Sequence, residues 1–441
     1  MLNTNEVIQS IENQDFKKRY GKVYRNVGLL IESKGPEVNI GDVCFIHQKK
    51  SKKTLKAEVV GFQDEHVLLM PYEKTNQIGP GSLVESTYKP LTVNMSEKLI
   101  GQVLNGLGEP IIDEDQSIDY PLDEYSTDRE PPNPMKRPPI SETLTTGIKA
   151  IDSCLTVGRG QRVGIFAGSG VGKSTLLGML ARNSDADINV FALLGERGRE
   201  VREFIEHELG EEGLKKSIVV VATSDQPALQ RIKGAYTATA VSEYFREQGY
   251  HVNLMMDSLT RVAMAQREVG LASGEPPTTK GYTPSVFAML PQLVERTGTD
   301  QIGSITAFYT VLVDGDDMDE PIADAVRGLL DGHFVLDRTL AEKGQFPAIN
   351  VLKSVSRLMQ KIVAPEHLEA SQKLRNWLAI YEENKELIQI GAYQKGASSH
   401  IDEAVYYQPM IMEYLYQSMN QSSTFNDSIQ QLLDLVGVKG E

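Results

Sequence analysis

Between Ala167 and Thr175 the chain reads AGSGVGKST, with glycines at 168, 170 and 172 followed by a lysine and two hydroxyls. Glycines spaced in this way let successive backbone amides turn inward around an anion, and a helix N-terminus just beyond them favours negative charge. Residues Gly168, Ser169, Gly170, Val171, Gly172, Lys173, Ser174 and Thr175 therefore form a candidate phosphate cradle for ATP. In it Lys173 reaches the terminal phosphates and the Ser174 hydroxyl ligates Mg²⁺. The usual pattern begins with glycine where this chain has Ala167, a small departure at a position that needs a small residue.

A hydrated Mg²⁺ needs a carboxylate on a neighbouring strand, and VNLMMD ends in Asp257 where an apolar run meets the polar SLTR. An N-cap aspartate is the other reading of that residue. In ALLGERGREVREF an apolar run ends at a glycine, and residues 196–204 then hold three arginines and three glutamates. Delivered to the carboxyl edge of a sheet, Glu196 would orient and polarise an attacking water, and Arg197 would offset charge on phosphate oxygens. On its own the pair would be an exposed ion pair at a helix start.

These residues need a scaffold. RVGIFA, INVFALL, SIVVVAT, VNLMMD and SITAFYTVLV are continuously apolar and alternate with helical stretches such as GREVREFIEHEL and TATAVSEYFREQG, the pattern of a parallel sheet covered on both faces. Ahead of them GLLIES, KGPEVNIGDVCFI, LKAEVVGF, HVLLMPY and GPGSLVEST read as short strands of a small β barrel or sandwich. From about Asn105 the chain is loop-like, and the proline-rich Arg129–Ile140 is a surface connection. Beyond Pro365 the periodicity is wholly helical. The expected organisation is an α/β chain with an N-terminal segment at 1–19 where a partner binds, a β barrel over 20–95, a P-loop ATPase domain over 96–364 and a helical domain over 365–441. In the first of these Val7, Ile8 and Ile11 share one face of a short helix, which reads equally as a face for a partner helix or as a terminus docked on its own barrel.

At 441 residues, 40% hydrophobic and 24% charged, the composition suits a soluble globular protein, and a net charge of −15 argues against a nucleic-acid-gripping surface. Lys49, Lys50, Lys52 and Lys53 read as a solvated loop tip. Cys44 and Cys154 fit no disulfide or metal spacing, and the seven histidines form no metal cluster. No leader-like start and no run of 18 apolar residues occur, so a cytoplasmic location is expected, with membrane contact made through partners.

The blocks GSGVGKST, GERGREV and MMDSLTRVAMAQREVGLASGEPPTTKGYTPSVFAMLPQLVERTG, with KKRYGKV and NIGDVCFI nearer the start, resemble the flagellum-specific ATPases of the type III protein export apparatus. That family is related to the catalytic subunits of rotary ATP synthases, and the resemblance spans nearly the whole chain. It implies a RecA-like central domain and the roles already given to Lys173, Ser174, Glu196, Arg197 and Asp257. It also implies that Phe346 stacks on adenine, that Arg357 is an arginine finger acting across a subunit boundary, and that Tyr393 adds a second aromatic wall. Read without the family, Phe346 is a core aromatic, Arg357 a surface arginine and Tyr393 an ordinary packing residue. The implied active form is a homohexamer. Its implied partners are a regulatory protein at the N-terminal segment, a coiled-coil stalk protein, export chaperone–substrate complexes and a membrane export gate. Three other readings stand beside this one: a virulence-type secretion ATPase, a hexameric RNA translocase suggested by GRGQR at Gly158–Arg162, and a catalytically silent ring subunit.

Overall fold

Glycine and proline divide the start of the chain into runs too short for helices, and in the computed structural model these runs close on themselves. The structure describes residues 19–49, 53–75, 77–111, 123–313, 315 and 317–437. The expected partner-binding segment, with its stripe of Val7, Ile8 and Ile11, lies outside the described residues apart from Arg19. Lys50 and Lys52 lie outside them too. Strands β1 (Tyr20–Val27), β2 (Leu30–Lys34), β3 (Val43–His47), β4 (Thr54–Gln63), β5 (His66–Pro71) and β6 (Leu83–Ser86) form a closed antiparallel barrel in the order β1-β2-β5-β4-β3-β6. Closure leaves no strand edge unpaired. Val23, Ile31, Ile46, Leu55, Val59, Leu69 and Val84 fill the interior. Gly21 sits so close to the Gly35 carbonyl that any Cβ there would collide with it.

The central domain carries β7 (Val103–Asn105), β8 (Arg162–Ala167), β9 (Ile188–Leu194), β10 (Ser217–Ala222), β11 (His251–Asp257), β12 (Ser304–Leu312), β13 (Gly332–Leu336) and β14 (Val355–Ser356). They order as β14-β13-β8-β12-β11-β9-β10-β7, and every neighbouring pair is parallel except β13–β14. All seven residues of β9 are buried, as a strand covered on both faces requires. One face is covered by α3 (Ala228–Glu247), α4 (Leu259–Ala272), α5 (Pro284–Glu295) and α6 (Pro321–Leu329). The other is covered by α1 (Lys173–Asn183) and by the segment after α2 (Gly198–Glu203).

That second apolar layer continues into the C-terminal helices α7 (Pro365–Gln389), α8 (Ser399–Leu415) and α9 (Phe425–Val436), through Leu374, Trp377, Ile411 and Leu432. Arg129–Ile140 runs over the surface with one 3₁₀ turn, and Arg137 ties it down by donating to the Thr297 carbonyl at 2.9 Å. Val103–Asn105, just ahead of the stretch expected to be loop-like, adds an edge strand to the sheet beside β10, and within that stretch Asp123–Ser126 departs from the expectation by pairing with Thr92–Met95.

Candidate active site

Parallel order brings the carboxyl ends of the strands to one edge, where Ala167 stands opposite Leu312 and Leu193 opposite Asp257. Open α/β sheets bind their ligands at this edge. From β8 the chain turns through residues 168–172 into α1. Gly170 and Gly172 take φ of 75° and 91°, left-handed values that disfavour any side chain, and Gly172 caps α1. The first-turn amides of α1 have no intrahelical acceptors and are available to an anion.

A cavity of about 640 Å³ opens here, lined by Gly168, Ser169, Gly170 and Gly172–Thr175, by Glu196 and Arg197 beyond β9, and by Asp257 and Arg261 around the β11–α4 turn. Val171 faces away from it and is buried in the apolar layer. Lys173 Nζ donates to Asp257 Oδ1 at 2.6 Å and stands 3.6 Å from Glu196 Oε1. Thr310 Oγ1 donates to the same Asp257 oxygen at 2.7 Å. Burial works against the Lys173 ammonium, but Asp257 and then Glu196 more than offset it and hold its proton above the ordinary lysine value.

Lys173 sits farther from Glu196 than from Asp257. Burial lifts the Glu196 carboxyl above the ordinary glutamate range against the pull of Lys173, and the Asp257 charge adds to the rise. Its Oε1 is buried, has no hydrogen-bond partner, and faces the Lys173 ammonium from 3.6 Å. Arg197 is 76% exposed and donates to Glu200 Oε1 at 2.9 Å, so it forms a helix-start ion pair while also lining the cavity mouth.

The donor set fits Mg²⁺. Ser174 is exposed to the cavity, and Asp257 supplies a carboxylate oxygen. Among the described residues no group of three His, Cys, Asp or Glu could hold an ion by itself. A hard cation that keeps its waters and draws on substrate phosphates needs no more than one or two such protein oxygens.

Phe346 is 41% exposed, and its ring edge stands 3.6 Å from where a Cβ on Gly172 would lie, so it flanks the cradle. Tyr393 does not join the group. It sits in the turn between α7 and α8, and its hydroxyl donates to the Ser398 carbonyl at 3.0 Å and to Asp402 at 2.9 Å. Arg357 is exposed beyond β14, donates to the Arg327 carbonyl at 3.3 Å, and is not among the residues lining this cavity.

Three contributors escaped the sequence reading. Thr310 looks like core inside an apolar run, and only the register of β12 against β11 reveals it. Arg261 reads as a first-turn helix arginine. Glu208 lines the cavity and accepts from the Thr175 hydroxyl at 3.0 Å because α2 widens into a π-helical turn at Phe204–Leu209, a distortion common at functional sites.

The nucleotide-binding domain model of the ATP synthase alpha/beta family matches residues 147–356, and that family's β-barrel domain model matches residues 23–88. The model of the T3SS EscN ATPase C-terminal domain matches residues 363–434. A flagellum-specific ATP synthase of Bacillus subtilis is 60% identical over 437 residues, 99% of both chains. A type 3 secretion system ATPase of Xanthomonas euvesicatoria is 47% identical, over 94% of this chain and 93% of that one. The assembled ATPase EscN from the enteropathogenic E. coli type III secretion system superposes with a TM-score of 0.89 at 43% identity, over 94% of this chain and all of that one. A second structure holds EscN in complex with its central stalk EscO, at a TM-score of 0.87 and the same identity and coverage. With the cradle, its two carboxylates and these matches from end to end, the chain belongs to the ATP synthase alpha/beta family, among its flagellum-specific and type III secretion ATPases.

Proposed function

We propose that this chain hydrolyses ATP to ADP and phosphate within a homohexameric ring that energises or primes export of flagellar proteins through a type III apparatus. The observation that carries the reading is the meeting of Lys173, Asp257 and Glu196 in one cavity, in a chain 60% identical throughout to a flagellum-specific ATP synthase.

The residues divide the work. Amides of the cradle take the β and γ phosphates, and Lys173 exchanges its carboxylate partners for the terminal phosphate oxygens. Ser174 and Asp257 would hold Mg²⁺, which when bound neutralises charge on the phosphates. Glu196 accepts a hydrogen bond from water and takes its proton as the water oxygen bonds to the γ phosphorus and the bond to the ADP oxygen breaks. Arg197, and Arg357 of a neighbouring subunit, offset the charge that accumulates on the phosphoryl oxygens. Phe346 lies against the adenine. No covalent phosphoenzyme forms, because the attacking group is water.

A coiled-coil stalk protein is the partner favoured by the EscN–EscO complex. A regulatory protein at the N-terminal segment, chaperone–substrate complexes and a membrane export gate complete the proposed set. The chain works in the cytoplasm at the inner face of the membrane. Among the described residues no helix is long and apolar enough to cross a membrane.

Glu196→Gln tests the chemistry. Phosphate release should fall about 10²- to 10⁴-fold with nucleotide binding retained, whereas unchanged turnover would point to a silent ring subunit. The 47% identity to a secretion ATPase of Xanthomonas favours a virulence-type role as the second reading. Co-purification with flagellar rod, hook or filament subunits and their chaperones supports the flagellar role, and co-purification with injected effectors supports the other.

A further inference from the structure

We propose that Gln417 is a positioning residue for the nucleotide base, which it serves by locking the Phe346 loop to the P-loop helix. The proposal rests on the reading of Phe346 as the residue against adenine.

Gln417 lies just beyond α8, is 1% exposed, and touches three parts of the chain. Its backbone amide donates to the Phe346 carbonyl at 2.8 Å. Its side-chain Nε2 donates to the Gly147 carbonyl and to the Gln421 carbonyl, each at 2.8 Å, and its Oε1 accepts from the Lys149 amide at 2.9 Å. Both side-chain N–H groups and the carbonyl are therefore satisfied, the condition under which a buried amide rigidifies its surroundings.

Gly147 is the far end of that lock. It takes φ of 71°, and a Cβ there would fall 2.5 Å from Asn183 Cβ, so the turn sits directly against the last residue of α1. The same helix begins at Lys173 in the phosphate cradle. Gln417 thus joins the base side of the site to the rigid element that carries its phosphate side. A nucleotide must satisfy both ends together, and small misplacements of positioned groups are costly. A second bond supports the same loop from the C-terminal domain, as Gln345 Nε2 donates to the Met412 carbonyl at 3.0 Å.

The test compares ligands with and without a base, measuring ADP and inorganic tripolyphosphate binding on the full chain. For Gln417→Ala the dissociation constant for ADP should rise about tenfold, a change of ~1.4 kcal/mol, while that for tripolyphosphate moves less than about twofold. The KM for ATP should rise with ADP, and kcat should fall by no more than about threefold. Gln345→Ala, which leaves the buried amide in place, should move ADP in the same direction by a smaller factor and serves if Gln417→Ala does not fold. Equal weakening of both ligands with a matching drop in kcat would mean general structural damage and overturn the proposal. Phe346→Ala separates the two layers of the argument. If it weakens ADP and the glutamine variants do not, the lock is wrong. If Phe346→Ala itself leaves ADP binding unchanged, the assignment of the base site fails and the lock falls with it.

Discussion

Lys173 serves two carboxylates at unequal distances, 2.6 Å to Asp257 and 3.6 Å to Glu196, and this asymmetry matches the different roles proposed for them. Asp257 is tied by the ammonium and by Thr310, an arrangement suited to holding an ion in place. Glu196 keeps a buried acceptor free of hydrogen bonds and a carboxyl raised chiefly by burial, which suits a group that must take up a proton. A sign for pH dependence follows. In the proposed reaction the ionised form accepts the proton, and it is lost as pH falls through the raised value. The acid limb of kcat should therefore be centred above the ordinary glutamate value of about 4.3. A kcat–pH profile at saturating ATP measures this, and a limb at or below the ordinary value would mean that Glu196 is not the group titrating.

At the scale of elements, a buried ion pair ties the helix α3 to the chain just past α5. Arg296, just past the end of α5 and 1% exposed, donates to both Glu243 oxygens, at 2.9 and 2.6 Å, and to the Thr127 carbonyl at 2.8 Å. Removing one partner strands the other charge in the interior, so Arg296→Met should cost about 3–5 kcal/mol in unfolding free energy. The double variant Arg296→Met/Glu243→Leu should be less destabilised than Arg296→Met alone, because it leaves no uncompensated charge. Denaturant unfolding of the single and double variants checks both statements.

Neither residue announces this in the sequence, where Arg296 and Glu243 are 53 positions apart. Legible elements were those with long apolar runs, such as Ile188–Leu194, or with a helical pattern, such as TATAVSEYFREQG, which covers the second half of the helix Ala228–Glu247. Val103–Asn105 and Val355–Ser356 escaped because two or three residues carry no measurable period and become strands only by pairing with β10 and β13. The cradle was legible because local backbone conformation makes it, with glycines at the left-handed positions. Thr310, Glu208 and Gln417 were not, since their contacts depend on register, on a π-helical turn and on a C-terminal segment returning to Gly147.

At the scale of the whole molecule, the cavity of one chain lacks a residue that the family resemblance assigns to it. Arg357 is exposed, its side chain makes one hydrogen bond among the described residues, to the Arg327 carbonyl, and it stands outside the cavity of its own subunit. A cation so weakly held is free to serve a neighbour, and head-to-tail contacts that close into a ring bring one subunit's surface to the next subunit's site. Lys173→Ala keeps a working Arg357, and Arg357→Ala keeps a working cradle. Each should be nearly inactive alone, since an arginine finger contributes on the order of 10³- to 10⁵-fold. Mixed in equal amounts and assembled at random, they should regain up to about a quarter of wild-type turnover. That is the share of head-to-tail interfaces in which an intact cradle meets an intact arginine. Phosphate release measured across a series of mixing ratios gives a second check, because the recovered activity should peak at equal amounts and vanish at either end. If mixed rings form and stay inactive at every ratio, Arg357 does not act across the boundary, and the group that completes the site must be sought within the subunit, beginning with Arg261 and Arg197, which already line the cavity.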